Sequence, residues 1–163
     1  PWRVGVFAGA TADEVARTAE QLALDVVQLH GVGETTLLSA LRGRTDAEIW
    51  SVLHVGPEGV EEASLHAALL GDGVLLDTRS DEALGGTGRT FNWESTAASL
   101  EPYRSTRRFV LAGGLTPGNV GRAIAALAPD VVDVSSGVER GPGHKDHARM
   151  RAFADAVHGV LPR

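Results

Sequence analysis

The chain of 163 residues has no cysteine, one lysine and few aromatic residues, 5 % of the total. The missing cysteine excludes disulfides, zinc–thiolate sites, redox CxxC chemistry and a cysteine nucleophile within these residues. The single lysine, Lys145, lies in a polar stretch, which argues against a Schiff-base enzyme built on a buried strand lysine. No apolar run approaches the roughly 20 residues that span a bilayer, and the N-terminus carries no secretory pattern. With 21 acidic against 15 basic residues the formal charge is −6, a poor footing for nucleic acid or an anionic membrane. These absences make a soluble cytoplasmic protein the expectation, long enough to bury a core without disulfides.

Six short apolar runs recur at about 27-residue spacing: Arg3–Ala8, Val26–His30, Ile49–Val55, Gly73–Thr78, Phe109–Gly113 and Val131–Ser135. They are continuously apolar, the pattern of strands covered on both faces in a parallel sheet. Helical patterns separate them over Thr11–Leu24, Gly33–Arg42, Pro57–Leu70 and, more weakly, Asn92–Leu100. Thr116-Pro117 reads as a cap and first turn, with Val120, Ala123, Ile124 and Leu127 on one helix face. The last segment repeats that spacing with Met150, Phe153, Ala154 and Val157. The alternation predicts an α/β fold, either a (β/α) barrel or a doubly wound sheet, in one domain over residues 1–163.

Glycines cluster just after strands, where parallel-sheet proteins place their chemistry. Leu111–Asn119 (LAGGLTPGN) and Asp133–Glu139 (DVSSGVE) both end a strand in small residues. One such turn serves chain reversal; two in succession at the last strands match a phosphate cradle made by backbone N–H groups. Asp77 ends its strand where barrel enzymes place an acid or base, and a helix cap or an ion pair is the competing role. Gln28 and His30 end another strand, a place where a lone histidine also serves as a turn residue. The loop Leu84–Gly88, followed by Thr90–Trp93, reads as either a lid or a surface connection. His144 and His147 fit an exposed helix start better than a metal site. No GxGxxG follows the first strand and no Walker motif occurs, so nucleotide folds lose support.

The runs RVGVF (3–7), VVQLHG (26–31), LLDT (75–78), GGTGRTFNW (85–93), LAGGLTPGNV (111–120), VDVSSGVE (132–139) and PGHKDH (142–147) resemble phosphoribosylanthranilate isomerase, an enzyme of tryptophan biosynthesis. The resemblance implies a (β/α)8 TIM barrel and a cofactor-free, metal-free Amadori rearrangement of a phosphorylated small molecule. It implies Asp77 as general acid and phosphate contacts at Gly113, Gly114, Ser135, Ser136 and Gly137. Asp133 then lies near the sugar, with Gln28 and His30 close to the substrate; Asn92 replaces the family's usual aspartate. The family's general-base cysteine and an arginine for the anthranilate carboxylate belong to two βα units that would precede Pro1, so the chain corresponds to strands 3–8. An isolated fragment of this kind is expected to be inactive, with two sheet edges open. A fused or associated indoleglycerol phosphate synthase is a further expectation. The competing readings are a sugar-phosphate-binding relic and an aminoaldose isomerase of histidine biosynthesis.

Overall fold

Thr11 starts the first helix by reciprocal hydrogen bonds. Its Oγ1 accepts the Glu14 N–H at 3.3 Å, and a Glu14 carboxylate oxygen accepts the Thr11 N–H at 2.8 Å. The computed structural model describes residues 1–31, 34–56, 58–78 and 91–160. Strands and helices alternate as β1 (Val4–Phe7), α1 (Ala12–Leu22), β2 (Val26–Leu29), α2 (Glu34–Leu41), β3 (Glu48–Val55), α3 (Glu62–Ala68), β4 (Gly73–Thr78), α4 (Trp93–Leu100), β5 (Arg108–Leu111), α5 (Val120–Leu127) and β6 (Val131–Val132). A short antiparallel hairpin, β7 (Glu139–Gly141) with β8 (His144–Lys145), then precedes α6 (His147–His158).

The chain packs as two compact units, Pro1–Leu53 with Glu61–Leu75 and His54–Val60 with Leu76–Arg163. In the first, the strand order is β1-β2-β3-β4, with β2 parallel to both β1 and β3. All four residues of β2 are buried, as expected of an inner parallel strand, and Val15, Ala19, Val27, Leu29, Leu38, Leu41 and Ile49 form its core. On β1, by contrast, Val4 and Val6 are 42 % and 64 % exposed. In the second unit the order is β4-β5-β6, with β5 and β6 parallel and α5 packed on α4 and α6.

One device recurs in both units. The aspartate just before a strand bonds the backbone of a residue within one position of the start of the preceding strand. Asp25 accepts the Arg3 N–H at 2.6 Å, Asp72 that of Ile49 at 2.9 Å and Asp130 that of Phe109 at 2.7 Å. Each aspartate N–H donates in return to the same residue's carbonyl, at 2.9, 2.7 and 2.9 Å respectively. A charged acceptor thus fixes register at the amino ends of the strands.

Several boundaries differ from the sequence expectation. The fifth helix begins at Val120 instead of Pro117, because the Asn119 side chain folds the preceding residues into a turn: Oδ1 accepts the Thr116 N–H at 2.8 Å and Nδ2 donates to the Gly114 carbonyl at 3.0 Å. Its predicted face is right, with Val120, Ala123 and Leu127 buried. The third helix occupies only Glu62–Ala68 of the expected Pro57–Leu70, since Gly56 and Gly59 pair in a bridge ahead of it. On α6 the face is misplaced: Phe153 is buried, but Met150 is 45 % exposed and Ala154 is exposed too. His147 does open a helix, capped by Asp146, whereas His144 lies in β8. The loop read as either a lid or a surface connection, Leu84–Gly88 with Thr90, lies outside the described residues.

Candidate active site

The glycines at the end of β5 bring two strands together. Gly113 and Gly114 both have positive φ, +78° and +64°. A Cβ on Gly113 would stand 2.5 Å from Asp77 Oδ1 and 2.5 Å from the Thr78 N–H nitrogen, so only glycine lets this turn lie against the end of β4. The Ala112 N–H donates to the Leu76 carbonyl at 2.8 Å and continues that contact into the backbone. Asp77 and Thr78 are half-buried here, and Thr78 Oγ1 is buried without a protein partner.

The next loop is built onto this one. Asp133, immediately beyond β6, donates its N–H to the Leu111 carbonyl at 2.8 Å. Ser136–Val138 form a single 3-10 turn, and a Cβ on Gly137 would overlap the carbonyl of Leu115. The absence of a side chain at Gly137 therefore joins the β6 loop to the β5 loop. A 3-10 turn bonds i to i+3, so its own bonds leave over the N–H groups of Ser136 and Gly137.

Charge is arranged around the loops with little redundancy. Partial burial raises the Asp133 pKa above the ordinary carboxylate value; the Val134 N–H opposes this, the Asp77 carboxylate adds to it and Lys145 lowers it. Asp133 keeps more than a third of its surface open, but protein atoms crowd its carboxyl. The Lys145 ammonium donates to the Ser135 carbonyl at 2.9 Å and the Glu139 carboxylate at 2.8 Å. That contact, followed by the Gly143 N–H, holds the Glu139 pKa below its usual value.

Seven expected site residues, Asp77, Gly113, Gly114, Asp133, Ser135, Ser136 and Gly137, fall in the second unit on the ends of β4 to β6. Gln28 and His30 belong to the first unit, Gln28 buried on β2 and His30 one residue past it with its N–H on the Phe7 carbonyl at 2.8 Å. Sequence reading missed Asn119, Glu139 and Lys145. Asn119 stands three residues after Thr116, the spacing of a side chain that bonds back to a turn. Lys145 announced itself only as the one lysine.

Comparison with known proteins shows the family. The family model described as "N-(5'phosphoribosyl)anthranilate (PRA) isomerase" matches residues 1–156. The N-(5'-phosphoribosyl)anthranilate isomerase of Geobacillus thermodenitrificans is 39 % identical over 161 residues, covering 97 % of this chain and 71 % of that protein. The crystal structure of phosphoribosyl anthranilate isomerase from Thermotoga maritima superposes with a TM-score of 0.77 at 36 % identity, over 97 % of this chain and 73 % of that one. A phosphoribosyl anthranilate isomerase solved with reduced 1-(o-carboxyphenylamino)-1-deoxyribulose 5-phosphate gives a TM-score of 0.72 at 34 % identity, over 97 % of this chain and 72 % of that one. The chain belongs to the N-(5'-phosphoribosyl)anthranilate isomerase family, a (β/α)8-barrel family, and its activity is that isomerisation.

Proposed function

We propose that Asp77 is the general acid of this isomerisation and that the β5 and β6 loops bind the substrate's phosphate. The observation that carries this reading is the joining of the two loops through Gly137 and Leu115, with Asp77 against Gly113 in the first of them. Gly113, Gly114, Ser135, Ser136 and Gly137 then hold the phosphate mostly through backbone N–H groups, which suits a chain whose net charge is −6. A phosphorylated product analogue bound to a relative supports the same ligand class.

The chemistry follows from these placements. Asp77 donates a proton to the furanose ring oxygen, and the ring opens to an iminium ion. A base removes the C2′ proton, and the resulting enolamine passes to the ketone. The base comes from the family's first two βα units, outside these residues. Burial raises the Asp133 pKa, and the nearby Asp77 carboxylate adds to that. Asp133 lies beside the sugar in this reading, and Gln28 and His30 are assigned to the substrate by their family match.

Asp77→Asn, made in a protein that carries the two upstream units, should lower kcat by about 10² or more. Steady-state assay on N-(5'-phosphoribosyl)anthranilate checks this, and near-normal turnover would remove Asp77 from the role. We also place the enzyme in the cytoplasm, in keeping with a small-molecule substrate; among the described residues no helix is long and apolar enough to cross a membrane.

A further inference from the structure

The only lysine of the chain serves a carbonyl as well as a carboxylate. From β8, the Lys145 ammonium reaches the Ser135 carbonyl at 2.9 Å, Glu139 Oε1 at 2.8 Å and, more distantly, Ser135 Oγ at 3.4 Å. Glu139 is a firm anchor: its side chain is 14 % exposed and also accepts the Gly143 N–H at 3.2 Å. The Glu139 carbonyl accepts from Arg149 on α6, so the hairpin that presents Lys145 is itself tied down.

The consequence lies in peptide geometry. Ser135 has φ −113° and ψ −85°, neither helical nor extended, and the 3-10 turn holds its carbonyl only through the Val138 N–H at 3.4 Å, a longer contact than the 2.9 Å to the Lys145 ammonium. In a planar trans peptide the carbonyl of one residue and the N–H of the next point in opposite directions. An ammonium that captures the Ser135 carbonyl therefore sets the direction of the Ser136 N–H, one of the two N–H groups left over by the 3-10 turn.

We propose that Lys145 is the positioning residue of the phosphate loop: steadied by Glu139, it fixes the Ser135 carbonyl and thereby aims the Ser136 N–H at the substrate's phosphate. The inference rests on the phosphate reading above and adds to it a residue that acts from behind the loop.

Titration calorimetry with inorganic phosphate tests this on the chain as it stands, with Lys145→Met and Glu139→Gln beside the parent. Lys145→Met should weaken phosphate binding about tenfold, the worth of one well-placed hydrogen bond, with the circular dichroism spectrum unchanged. Glu139→Gln separates positioning from simple attraction. Removing a negative charge would tighten phosphate binding if Lys145 acted by its charge alone, whereas loosening the anchor of a positioning residue weakens it severalfold. Parent-like affinity in Lys145→Met, or tighter binding in Glu139→Gln, overturns the inference. If Lys145→Met fails to fold, the isosteric Glu139→Gln decides alone. A parent chain that binds no phosphate would overturn the phosphate reading itself, an outcome distinct from a loss confined to the variants.

Discussion

Gly137 lies against the carbonyl of Leu115 so closely that a Cβ there would overlap the oxygen. The neighbour is backbone, anchored on both flanks by the Asn119 side chain, which bonds the Gly114 carbonyl and the Thr116 N–H, so it has no rotamer with which to yield. Gly137→Ala should therefore push the β6 loop off the β5 loop. The expected loss is about 1–3 kcal/mol of stability in urea unfolding, the range for overpacking a filled site. Phosphate binding should weaken by more than the tenfold expected of a single lost hydrogen bond, since both loops move. Unchanged phosphate affinity in a folded Gly137→Ala protein would mean the junction has no part in binding.

Gly113 and Gly9 form a matched pair for isolating the effect on Asp77. Both have positive φ, +78° and +69°, and both should lose about 1 kcal/mol on substitution by alanine from backbone strain alone. A Cβ on Gly9 meets nothing within 4 Å, whereas one on Gly113 meets Asp77 Oδ1. In a protein carrying the upstream units, Gly113→Ala should lower kcat by at least tenfold through displacement of the acid, and Gly9→Ala should leave it near the parent value. Equal kcat values in the two variants would show that the Asp77 position does not matter.

Gly113 and Gly137 also show what was legible in the sequence. The strands could be read because Val and Leu dominate β2 and β4, and the strand-end glycines pointed to the β5 and β6 loops. The particular partner of each glycine could not be read: the contact of Gly137 with Leu115 links residues 22 positions apart and depends on how two loops pack. The start of α5 was misread because Thr116-Pro117 is a good local start signal, and the side-chain bonds of Asn119 override it. Lys145 escaped a role because the acceptor that gives it one, the Ser135 carbonyl, is backbone and leaves no trace in residue identity. On α6 the 3.6-residue pattern was present, but Met150 shows that an apolar residue on a periodic face need not be buried.

The aspartates before β4 and β6 carry a prediction about stability away from the site. Asp72 and Asp130 each bond the N–H of a buried residue, Ile49 and Phe109, through a charged acceptor. Asp72→Ala and Asp130→Ala should each cost about 1–2 kcal/mol in urea unfolding, within the range for a hydrogen bond to an ionised group whose N–H can partly turn to water. Phosphate affinity should be unaffected by Asp72→Ala, which acts at the amino ends of strands, away from the glycine loops. Loss of phosphate binding without loss of stability would contradict the structural role.

Asp133 should make the folded protein less stable at neutral pH than a neutral residue would. Its folded pKa is raised, chiefly by burial, so the native state holds this proton more tightly than the unfolded chain does. Between the ordinary carboxylate value and the raised one, the native state binds more protons, and stability falls as pH rises through that window. Above it the penalty is complete; well below the ordinary value it is absent. Asp133→Asn removes the titration and keeps an oxygen for the Val134 N–H. The variant should thus have the higher thermal midpoint at pH 7, with the gap closing toward pH 3. Glu139, Asp146 and Asp25 have lowered values, so they stabilise the fold above the ordinary carboxylate pKa and lose that contribution as pH falls through their folded values. Both proteins will therefore weaken in acid, and the difference between them, not either curve, reports Asp133. A gap that is constant with pH, or a parent more stable than Asp133→Asn at pH 7, would mean that this carboxyl is not destabilised by its surroundings.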